Sequence, residues 1–396
     1  MSRSSRSSRS ARISGPSRVR GSIRVPGDKS ISHRVAMLAS IANGDSVIRG
    51  FASSADCHST LDCVRRLGIA VEPEGDALVI EGRGLHGYHP ARDPLKLDAG
   101  NSGSTIRMIS GLLAGQRFTS EIDGDESLRR RPMGRIIEPL TLMGARVEAR
   151  EGNLAPLKIS GAALRPMKYA SLVASAQVKT CVLFAGLYAD GRTSYREPAL
   201  SRNHTELMLR EFGARLVSAS DGPLVELSVE GAFELNPVAY DVPGDVSSAA
   251  FFIAAATLLR DSELIINDVN LNPTRTAFID VLNSLGASVV AENVRTVHGE
   301  QVGNLRITSR PLKTQTATVL AAEIIPNIID EIPILAVAAT QVEGRLEVRD
   351  ARELRIKESD RLRTVADGIR ALGGAIEEFE DGFAIEGPQH LSVRDQ

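Results

Sequence analysis

The sequence contains no tryptophan, and aromatic residues make up only 4% of its 396 residues. It also lacks an excess of charge of either sign, because its formal net charge at pH 7 is -2. A near-neutral balance does not favour binding to nucleic acid or to a membrane surface. The longest apolar run, residues 249–259, is much shorter than the roughly 20 residues that a membrane-spanning helix needs. We therefore expect no nucleic-acid partner and no membrane partner.

The start of the chain lacks the apolar stretch of a secretory signal peptide. Residues 1–15 are instead rich in serine and arginine. Such a composition is typical of a disordered leader, and the alternative is a basic tail that binds nucleic acid. We predict the leader, and we expect the protein to be cytoplasmic.

Cysteine is scarce as well, since the chain has only Cys57, Cys63 and Cys181. The number is odd, and no second pair of ligands with zinc spacing follows the two cysteines that flank His58. We therefore expect reduced thiols, as is usual in the cytoplasm, and no bound metal.

What the chain does have is a polar turn at residues 25–34, between a strand pattern and the pattern of a buried helix. Its Pro-Gly pair ends the strand, and either Asp28 or Ser30 is suited to cap the helix. Lys29 and Arg34 then lie around the helix start, where free N–H groups and the helix dipole attract an anion. The pattern predicts an anion-binding site at this turn.

The same Val-Pro-Gly-Asp opening returns at residues 242–245, again before an apolar run. The second copy has Val246 where the first copy has Lys29. The sequence thus predicts one local architecture that is used twice, with the cation in only one copy.

A second recurring pattern is an amphipathic segment that ends in an apolar residue and glycine and is followed by a strand. Glycine is favoured there because it adopts the left-handed conformation that ends many helices. The spacing indicates repeated α/β units. Three of these glycines lie between the two Val-Pro-Gly-Asp segments and two lie after the second, so we expect the chain to stop one unit short of three plus three. The five glycines are Gly68, Gly144, Gly213, Gly286 and Gly373.

Several other polar stretches precede predicted helices, and each has an ordinary structural explanation. Residues 98–107 form a glycine-rich turn, and residues 129–131 are a run of arginines that either faces solvent or directs one guanidinium at an anionic ligand. Asp330 is either a helix cap or a proton-transfer group. Glu358 and Arg361, three residues apart, form either a surface ion pair or part of a site. Taken together, the stretches indicate a pocket for polyanions with two carboxylates. Residues 175–180 and 201–204 are two more polar stretches of this kind, and we count them with the others as candidates for the pocket.

Four of these segments resemble the motifs of the 5-enolpyruvylshikimate-3-phosphate synthase family. They are residues 26–34, 100–104, 131–132 and 355–361, in the order that the family has them. The resemblance runs from about residue 20 to residue 385, which is nearly the whole chain.

The resemblance implies an α/β (α+β) fold, a two-domain inside-out α/β barrel built from βαβαββ units around a pseudo-threefold axis. The first domain would comprise residues 27–241, and the second would comprise residues 16–26 plus 242–396, with about two of its three units present. The active site would lie between the domains. The implied reaction is transfer of the enolpyruvyl group of phosphoenolpyruvate to shikimate 3-phosphate with release of phosphate, in the route to aromatic amino acids. No metal and no organic cofactor are expected, and the chain is expected to be a monomer.

The resemblance also implies roles for individual residues. Asp330 would accept the proton of the attacking hydroxyl, Glu358 would protonate the methylene carbon, and Lys29 would contact both substrates. A side chain at Gly103 would obstruct the inhibitor glyphosate. The implied ligands of shikimate 3-phosphate are Lys29, Ser30, Arg34, Ser175, Gln177, Ser201, Arg202, Asp330 and Lys357. The implied ligands of phosphoenolpyruvate are Lys29, Asn101, Gly103, Arg131, Gln177 and Arg361.

Some features depart from the family's pattern. Ala176 stands where many members have a second serine, and His204 stands where some have tyrosine. We find no Asp-His-Arg segment after Ile385 and no final lysine-bearing stretch, which supply further cations in the family. One alternative is therefore a non-catalytic protein that binds shikimate 3-phosphate. The other is a UDP-N-acetylglucosamine enolpyruvyl transferase, which would use a loop cysteine that this chain lacks on the corresponding loops.

Overall fold

The computed structural model describes residue 15 and residues 18–221 and 224–392. The predicted leader lies outside the described residues except for Gly15. Up to residue 241 the elements are β1 (Arg20–Arg24), α1 (Lys29–Ile41), β2 (Asn43–Arg49), α2 (Ala55–Arg66), β3 (Val71–Glu74), β4 (Ala77–Arg83), β5 (Leu95–Asp98), α3 (Gly103–Ala114), β6 (Thr119–Asp123), α4 (Gly134–Leu142), β7 (Arg146–Arg150), β8 (Leu154–Ser160), β9 (Lys168–Ala170), α5 (Ala176–Gly186), β10 (Arg192–Glu197), α6 (His204–Glu211), β11 (Leu216–Asp221), β12 (Leu224–Glu230) and β13 (Ala239–Asp241).

The elements continue with α7 (Val246–Leu258), β14 (Glu263–Asn270), α8 (Ala277–Ser284), β15 (Ser288–Val297), β16 (Glu300–Thr308), β17 (Thr318–Leu320), α9 (Ile325–Ile328), α10 (Ile332–Ala339), β18 (Gly344–Val348), α11 (Arg361–Ala371), β19 (Glu377–Phe379) and β20 (Gly382–Gly387). Short 3-10 turns span Leu128–Arg130, Ala322–Ile324 and Arg352–Ile356. No helix within the described residues is both long and apolar enough to cross a membrane.

The described strands form five four-stranded sheets that share one topology. In the sheet β5-β6-β8-β7, for example, β5 and β6 are parallel, and β8 pairs antiparallel with both β6 and β7. The other four sheets, with the orders β13-β2-β4-β3, β9-β10-β12-β11, β1-β14-β16-β15 and β17-β18-β20-β19, repeat this arrangement. The prediction of repeated α/β units is confirmed.

The recurring glycine marks the helix ends, as the sequence predicted. All five glycines have φ between +78° and +108°, a range that side-chain-bearing residues rarely adopt. Each of them therefore ends a helix and starts the turn into the following strand.

Buried apolar side chains form two separate cores. One core draws on residues 31–242, and the other draws on Val25 and residues 246–385. We call the part of the molecule around the first of these cores the first lobe and the part around the other core the second lobe. Among the described residues, the first lobe contains three sheets and the second lobe contains two.

The chain crosses between the lobes at the two Val-Pro-Gly-Asp segments. Strand β1 pairs with β14 of the second lobe, and β13 pairs with β2 of the first lobe. At the crossings the Asp28 amide donates to the Pro243 carbonyl at 2.8 Å, and the Asp245 amide donates to the Pro26 carbonyl at 2.8 Å. The two copies therefore pair with each other, and each is followed at once by a helix.

Candidate active site

The start of α1 carries the first group of cations. The Asp28 carboxylate caps the helix, since it accepts from the Ile31 amide at 2.9 Å, which decides between the two predicted caps. Lys29 is the first helical residue, and its Nζ lies 3.1 Å from Asp56 Oδ2. Burial disfavours its charge, but the carboxylate of Asp56 outweighs this effect and raises the pKa of Lys29. The ammonium is therefore charged at neutral pH.

Arg34 lies one turn further along α1 and is buried, and its hydrogen-bond acceptors are neutral. Its Nε donates to Thr205 Oγ1 at 2.7 Å, and its two Nη atoms donate to the Ser30 carbonyl at 2.8 Å and to Thr180 Oγ1 at 3.1 Å. Burial lowers its pKa to about 10, so the guanidinium keeps its charge at pH 7. Because none of these hydrogen-bond acceptors is a carboxylate, this charge is available to an anionic ligand.

The helices α3 and α5 begin beside each other. Gln177, in the first turn of α5, donates to Ser104 Oγ at 2.9 Å and accepts from Arg107 Nη1 at 2.9 Å. A guanidinium contact from Arg34 to the Ala176 carbonyl, at 3.4 Å, joins the start of α5 to α1. The starts of three helices of the first lobe thus converge, and their free N–H groups suit an anion.

Arg131 faces the glycine-rich turn before α3. Its Nη2 donates to Asn101 Oδ1 and, at 3.3 Å, to Ser127 Oγ. A Cβ on Gly103 would lie 3.2 Å from Arg131 Nη1 and 2.8 Å from Arg107 Nη1, so the absence of a side chain there leaves room for both guanidinium groups. Burial lowers the pKa of Arg131, although the charge of Glu358 opposes this effect.

The arginine run therefore divides into solvent-facing and buried members. Arg129 pairs with Asp123 at 2.5 Å, and Arg130 pairs with Glu126 at 3.6 Å on the surface. Arg131 alone of the three is buried, at 8% exposure, and its Nε has no protein partner among the described residues. The solvated interpretation holds for the first two arginines, and the ligand-facing interpretation fits Arg131.

Asp330 of the second lobe lies between two guanidinium groups. Arg202 of the first lobe places Nη2 at 2.5 Å from Asp330 Oδ2, and Arg361 places Nη1 at 2.9 Å from Asp330 Oδ1. Burial works against its ionisation, but Arg202, Lys357 and Arg361 hold the pKa of Asp330 well below 3.8. Asp330 is not a helix cap: Glu331 stands at the cap position of α10, and its side chain makes no capping hydrogen bond.

Glu358 and Lys357 complete this group. Arg361 Nη2 lies 2.7 Å from Glu358 Oε1, so the ion pair expected from their spacing is present. The same Arg361 binds Asp330, which makes the pair part of the cluster rather than an isolated surface pair. Burial lowers the pKa of Lys357, with Arg202 and Arg361 adding to the effect and Asp330 opposing it.

The two lobes meet at this cluster through residues predicted from the sequence. Arg202 Nη1 lies 3.5 Å from Ser30 Oγ, which links Asp330 to the start of α1. On the other side, Ser127 Oγ donates to the Glu358 carbonyl at 3.2 Å, which brings the loop of Arg131 to the same place.

Two predicted ligands have structural partners. The Ser175 hydroxyl caps α5 by accepting from the Val178 amide at 3.4 Å. The Ser201 hydroxyl donates to Glu197 Oε2 at 2.7 Å, and Glu197 also binds Lys179 Nζ at 3.0 Å. Both hydroxyls sit on the loops and helix starts that form the site, and both retain an acceptor lone pair.

Sequence reasoning missed a buried network at the crossings. Arg275 donates to Asp28 and to Asp245, at 3.0 and 3.2 Å, and so links the two Val-Pro-Gly-Asp copies. His204 Nδ1 lies 2.6 Å from Glu300 Oε1, so this histidine joins the lobes and does not cap α6. The repeat itself signalled two equivalent aspartates, but nothing in the spacing pointed to an arginine 30 residues beyond the second copy.

The three cysteine thiols are not part of the charged cluster. All three cysteines are free and buried. Burial raises the pKa of Cys57 to about 11 and that of Cys63 to about 12, so neither is a thiolate at neutral pH. Within the described ranges, no three His, Cys, Asp or Glu side chains are grouped as metal ligands would be.

The two-lobed fold of repeated βαβαββ units brings cations from both lobes around two carboxylates, which is the arrangement of an enzyme that acts on anionic substrates. Residues 13–394 match the sequence profile of EPSP synthase (3-phosphoshikimate 1-carboxyvinyltransferase). The chain belongs to the EPSP synthase family.

Several relatives and solved structures support this assignment. The 3-phosphoshikimate 1-carboxyvinyltransferase of Solibacter usitatus is 50% identical over 363 residues, which cover 91% of this chain and 83% of that protein. The protein of the same name from Salinibacter ruber is 50% identical over 364 residues, covering 91% and 82%. A solved EPSP synthase from Acinetobacter baumannii superposes with a TM-score of 0.81 at 40% identity, covering 94% of this chain and 83% of that one.

Proposed function

We propose that this chain transfers the enolpyruvyl group of phosphoenolpyruvate to a hydroxyl of shikimate 3-phosphate and releases phosphate. Its membership of the EPSP synthase family and the names of relatives at about 50% identity support this reaction. We further propose two domains, residues 27–241 and residues 16–26 plus 242–396, with the active site between them. The two separate cores and the exchange of β1 and β13 between the lobes support this division.

The observation that carries the proposal is the position of Asp330. Its carboxylate contacts Arg202 of one lobe and Arg361 of the other, and Lys357 acts on it as well. Two anionic substrates repel each other, and several converging cations are needed to hold them in contact. A carboxylate among those cations supports a role for Asp330 as the group that removes the proton of a bound hydroxyl.

The shikimate 3-phosphate site is proposed at the converging helix starts of the first lobe and the loop before α6. Arg34 supplies a charge with no carboxylate among its hydrogen-bond acceptors, and Lys29 supplies a charge at the start of α1. A phosphate bound there meets both the cations and the free N–H groups of the helices. The assigned residues are Lys29, Ser30, Arg34, Ser175, Gln177, Ser201, Arg202, Asp330 and Lys357.

The phosphoenolpyruvate site is proposed between the glycine-rich turn before α3 and the segment before α11. Arg131 and Arg361 are forked cations beside this space, and both act on Glu358. A forked guanidinium suits the carboxylate and the phosphate of this substrate. The assigned residues are Lys29, Asn101, Gly103, Arg131, Gln177 and Arg361.

The proposed chemistry has two stages. In the first, the acceptor hydroxyl adds to the substituted carbon of phosphoenolpyruvate, Asp330 takes the hydroxyl proton, and Glu358 gives a proton to the methylene carbon. Burial favours the protonated form of Glu358, but Arg361 and Arg131 lower its pKa in the free protein, so Glu358 must take up its proton when the substrate anions compete for these cations. In the second, Glu358 takes a proton back from the resulting methyl group as the C–O bond to phosphate breaks, which restores the double bond, and the proton held by Asp330 passes to the departing phosphate. Lys29 stabilises negative charge on both substrates during these steps.

The cations also tune the base. In the structure the pKa of Asp330 is well below 3.8 because Arg202, Lys357 and Arg361 outweigh the effect of burial. Substrate phosphate and carboxylate groups compete for the same cations, and this competition raises the pKa of Asp330 towards the range of an effective base.

We also propose that the protein acts as a cytoplasmic monomer. The three buried thiols are all free, which suits a reducing compartment.

A coupled assay of phosphate release tests the function. The purified chain is mixed with phosphoenolpyruvate and shikimate 3-phosphate, and each substrate alone serves as a control. We expect phosphate only when both are present. Release with UDP-N-acetylglucosamine in place of shikimate 3-phosphate would favour the other transferase instead.

A further inference from the structure

Arg275 occupies the segment between β14 and α8 and is almost completely buried, with 2% exposure. Its Nη1 donates to Asp28 Oδ2 at 3.0 Å and lies 3.5 Å from His204 Nε2. Its Nη2 donates to Ser247 Oγ at 2.7 Å and to Asp245 Oδ1 at 3.2 Å. One planar group thus connects both lobes at the point where the chain crosses between them.

The two carboxylates that Arg275 binds are equivalent residues. Asp28 caps α1 and Asp245 caps α7, each in its own Val-Pro-Gly-Asp segment. Two carboxylates in a buried space repel each other, and the charge of Asp28 together with burial raises the pKa of Asp245. Arg275 offsets that repulsion, so the two helix starts stay side by side.

Each partner of Arg275 leads directly to a residue assigned to the reaction. Asp28 immediately precedes Lys29, the first residue of α1. Ser247 donates to Glu331 Oε1, and Glu331 follows Asp330 in the chain. Arg275 is therefore placed between the segment that carries Lys29 and the segment that carries Asp330, although it has no contact with either side chain.

We propose that Arg275 is a positioning residue that sets the separation of Lys29 and Asp330 across the two lobes. This inference rests on the proposed function. Arg202, Arg34 and Arg131 still meet the substrates when Arg275 is changed, so substrate affinity is largely kept. The alignment of base and cation at the transition state is lost, and reaction rates are sensitive to such alignment.

The test uses Arg275→Lys in the full chain. Lysine keeps the positive charge but has no planar fork to reach Asp28, Ser247 and Asp245 together. We expect kcat, normalised to the folded fraction, to fall by roughly 30-fold or more, with KM for each substrate within about threefold of the parent. A kcat within about threefold of the parent, or a rise in KM that accounts for the whole loss, would overturn the proposal.

Ser247→Ala provides a second variant that removes only one oxygen. It cuts the link from Arg275 to Glu331, and we expect kcat to fall by roughly 3- to 10-fold with unchanged KM. If Arg275→Lys does not fold, Ser247→Ala tests the proposal in its place, and an unchanged kcat in Ser247→Ala contradicts the proposal.

Arg306→Lys is the matched control. Arg306 lies in the same lobe and also binds two carboxylates, Glu263 at 2.9 Å and Glu292 at 2.7 Å, away from the crossings. The Arg306→Lys variant should keep the kcat and KM of the parent. If it lost as much kcat as Arg275→Lys, a specific role for Arg275 would be refuted. A parent chain that releases no phosphate contradicts the proposed function, whereas an active parent with unaffected variants contradicts only this inference.

Discussion

Arg202 of the first lobe and Asp330 of the second lobe form an ion pair across the boundary between the lobes, with Nη2 2.5 Å from Oδ2. Arg361 holds the other carboxylate oxygen at 2.9 Å. The proposed base therefore shares its two cations with the proposed substrates. An anion that binds Arg202 or Arg361 competes with Asp330, so substrate binding and activation of the base are coupled.

Replacing Asp330 by asparagine is expected to remove most of the activity. The amide keeps the shape of the side chain but cannot take up the hydroxyl proton, so kcat should fall by about 10²- to 10⁴-fold. Steady-state phosphate release measures the effect. Asp367→Asn is the control, because Asp367 is an exposed carboxylate that pairs with Arg363 and Arg370. Near-parental activity of Asp330→Asn would refute the assignment.

Lys29→Met is expected to weaken the use of both substrates. It removes a cation at the start of α1 and should lower kcat/KM by roughly 10- to 100-fold for each substrate, since hydrogen bonds to charged groups are worth about 1.5–3 kcal/mol. Lys96→Met is the control, since Lys96 forms only a long, exposed contact of 3.9 Å with Glu121. An effect confined to one substrate would contradict the role of Lys29 in contacting both.

Carbon-13 NMR of labelled aspartate carboxyl groups tests the electrostatics of the base. In the protein without substrates, Asp330 should titrate below 3.8, because Arg202, Lys357 and Arg361 outweigh burial and favour the carboxylate. Removing one of these cations in Arg361→Gln destabilises the carboxylate and should raise the pKa of Asp330.

Asp330→Asn assigns the resonance, and Arg363→Gln on the exposed face of α11 is the control. An Asp330 resonance that titrates above the usual aspartate range of about 3.9, or one that does not respond to Arg361→Gln, would contradict the geometry of the cluster.

Gly103→Ala is expected to reduce inhibition by glyphosate. The new methyl group would lie 2.8 Å from Arg107 Nη1 and 3.2 Å from Arg131 Nη1, so the guanidinium groups beside the proposed phosphoenolpyruvate site must shift. Inhibition assays at fixed substrate concentrations should give a higher inhibitory concentration and a higher KM for phosphoenolpyruvate. Gly368→Ala in α11 is the control, because a Cβ there meets no atom within 4 Å. Unchanged inhibition would place Gly103 outside the site.

Lys179→Met is expected to destabilise the first lobe. Lys179 Nζ is buried between Glu197 at 3.0 Å and Glu206 at 2.7 Å, and the substitution leaves two buried carboxylates without their cation. Breaking such an ion pair costs about 3–5 kcal/mol. Chemical denaturation measures the free energy of unfolding, with the exposed Lys158→Met as the control. A loss below about 1 kcal/mol would be the size expected for a surface pair and would contradict this interpretation.

The repeated units and helix ends were predictable because they depend on local patterns. Glycine at a helix end and a polar residue at a helix start act on their own turn of the chain, so Gly68 could be assigned from a few neighbouring residues and the cap of α1 could be narrowed to Asp28 or Ser30. The recurrence of these patterns predicted repeated α/β units, whereas the two-domain arrangement of βαβαββ units was expected from the family resemblance. The five sheets of the described residues share one topology.

The candidate site was predictable as a set of residues but not as a network. The charge pattern alone does not show which of Arg129, Arg130 and Arg131 faces a ligand. The family resemblance singled out Arg131, and the packing against Asn101 and Ser127 shows that it is the buried one. Arg275 gave no local signal at all, because its partners are set by the crossing of the chain between the lobes.

The most direct test of the central claim is a phosphorus-31 NMR experiment on the purified chain with both substrates. The account predicts that the phosphoenolpyruvate signal declines, that inorganic phosphate appears in equal amount, and that the phosphate monoester of the second substrate persists, because the new bond is an enol ether at another hydroxyl. Asp330→Asn should leave the spectrum of the substrates essentially unchanged over the same time. Persistence of both substrate signals with the folded parent chain would contradict the account.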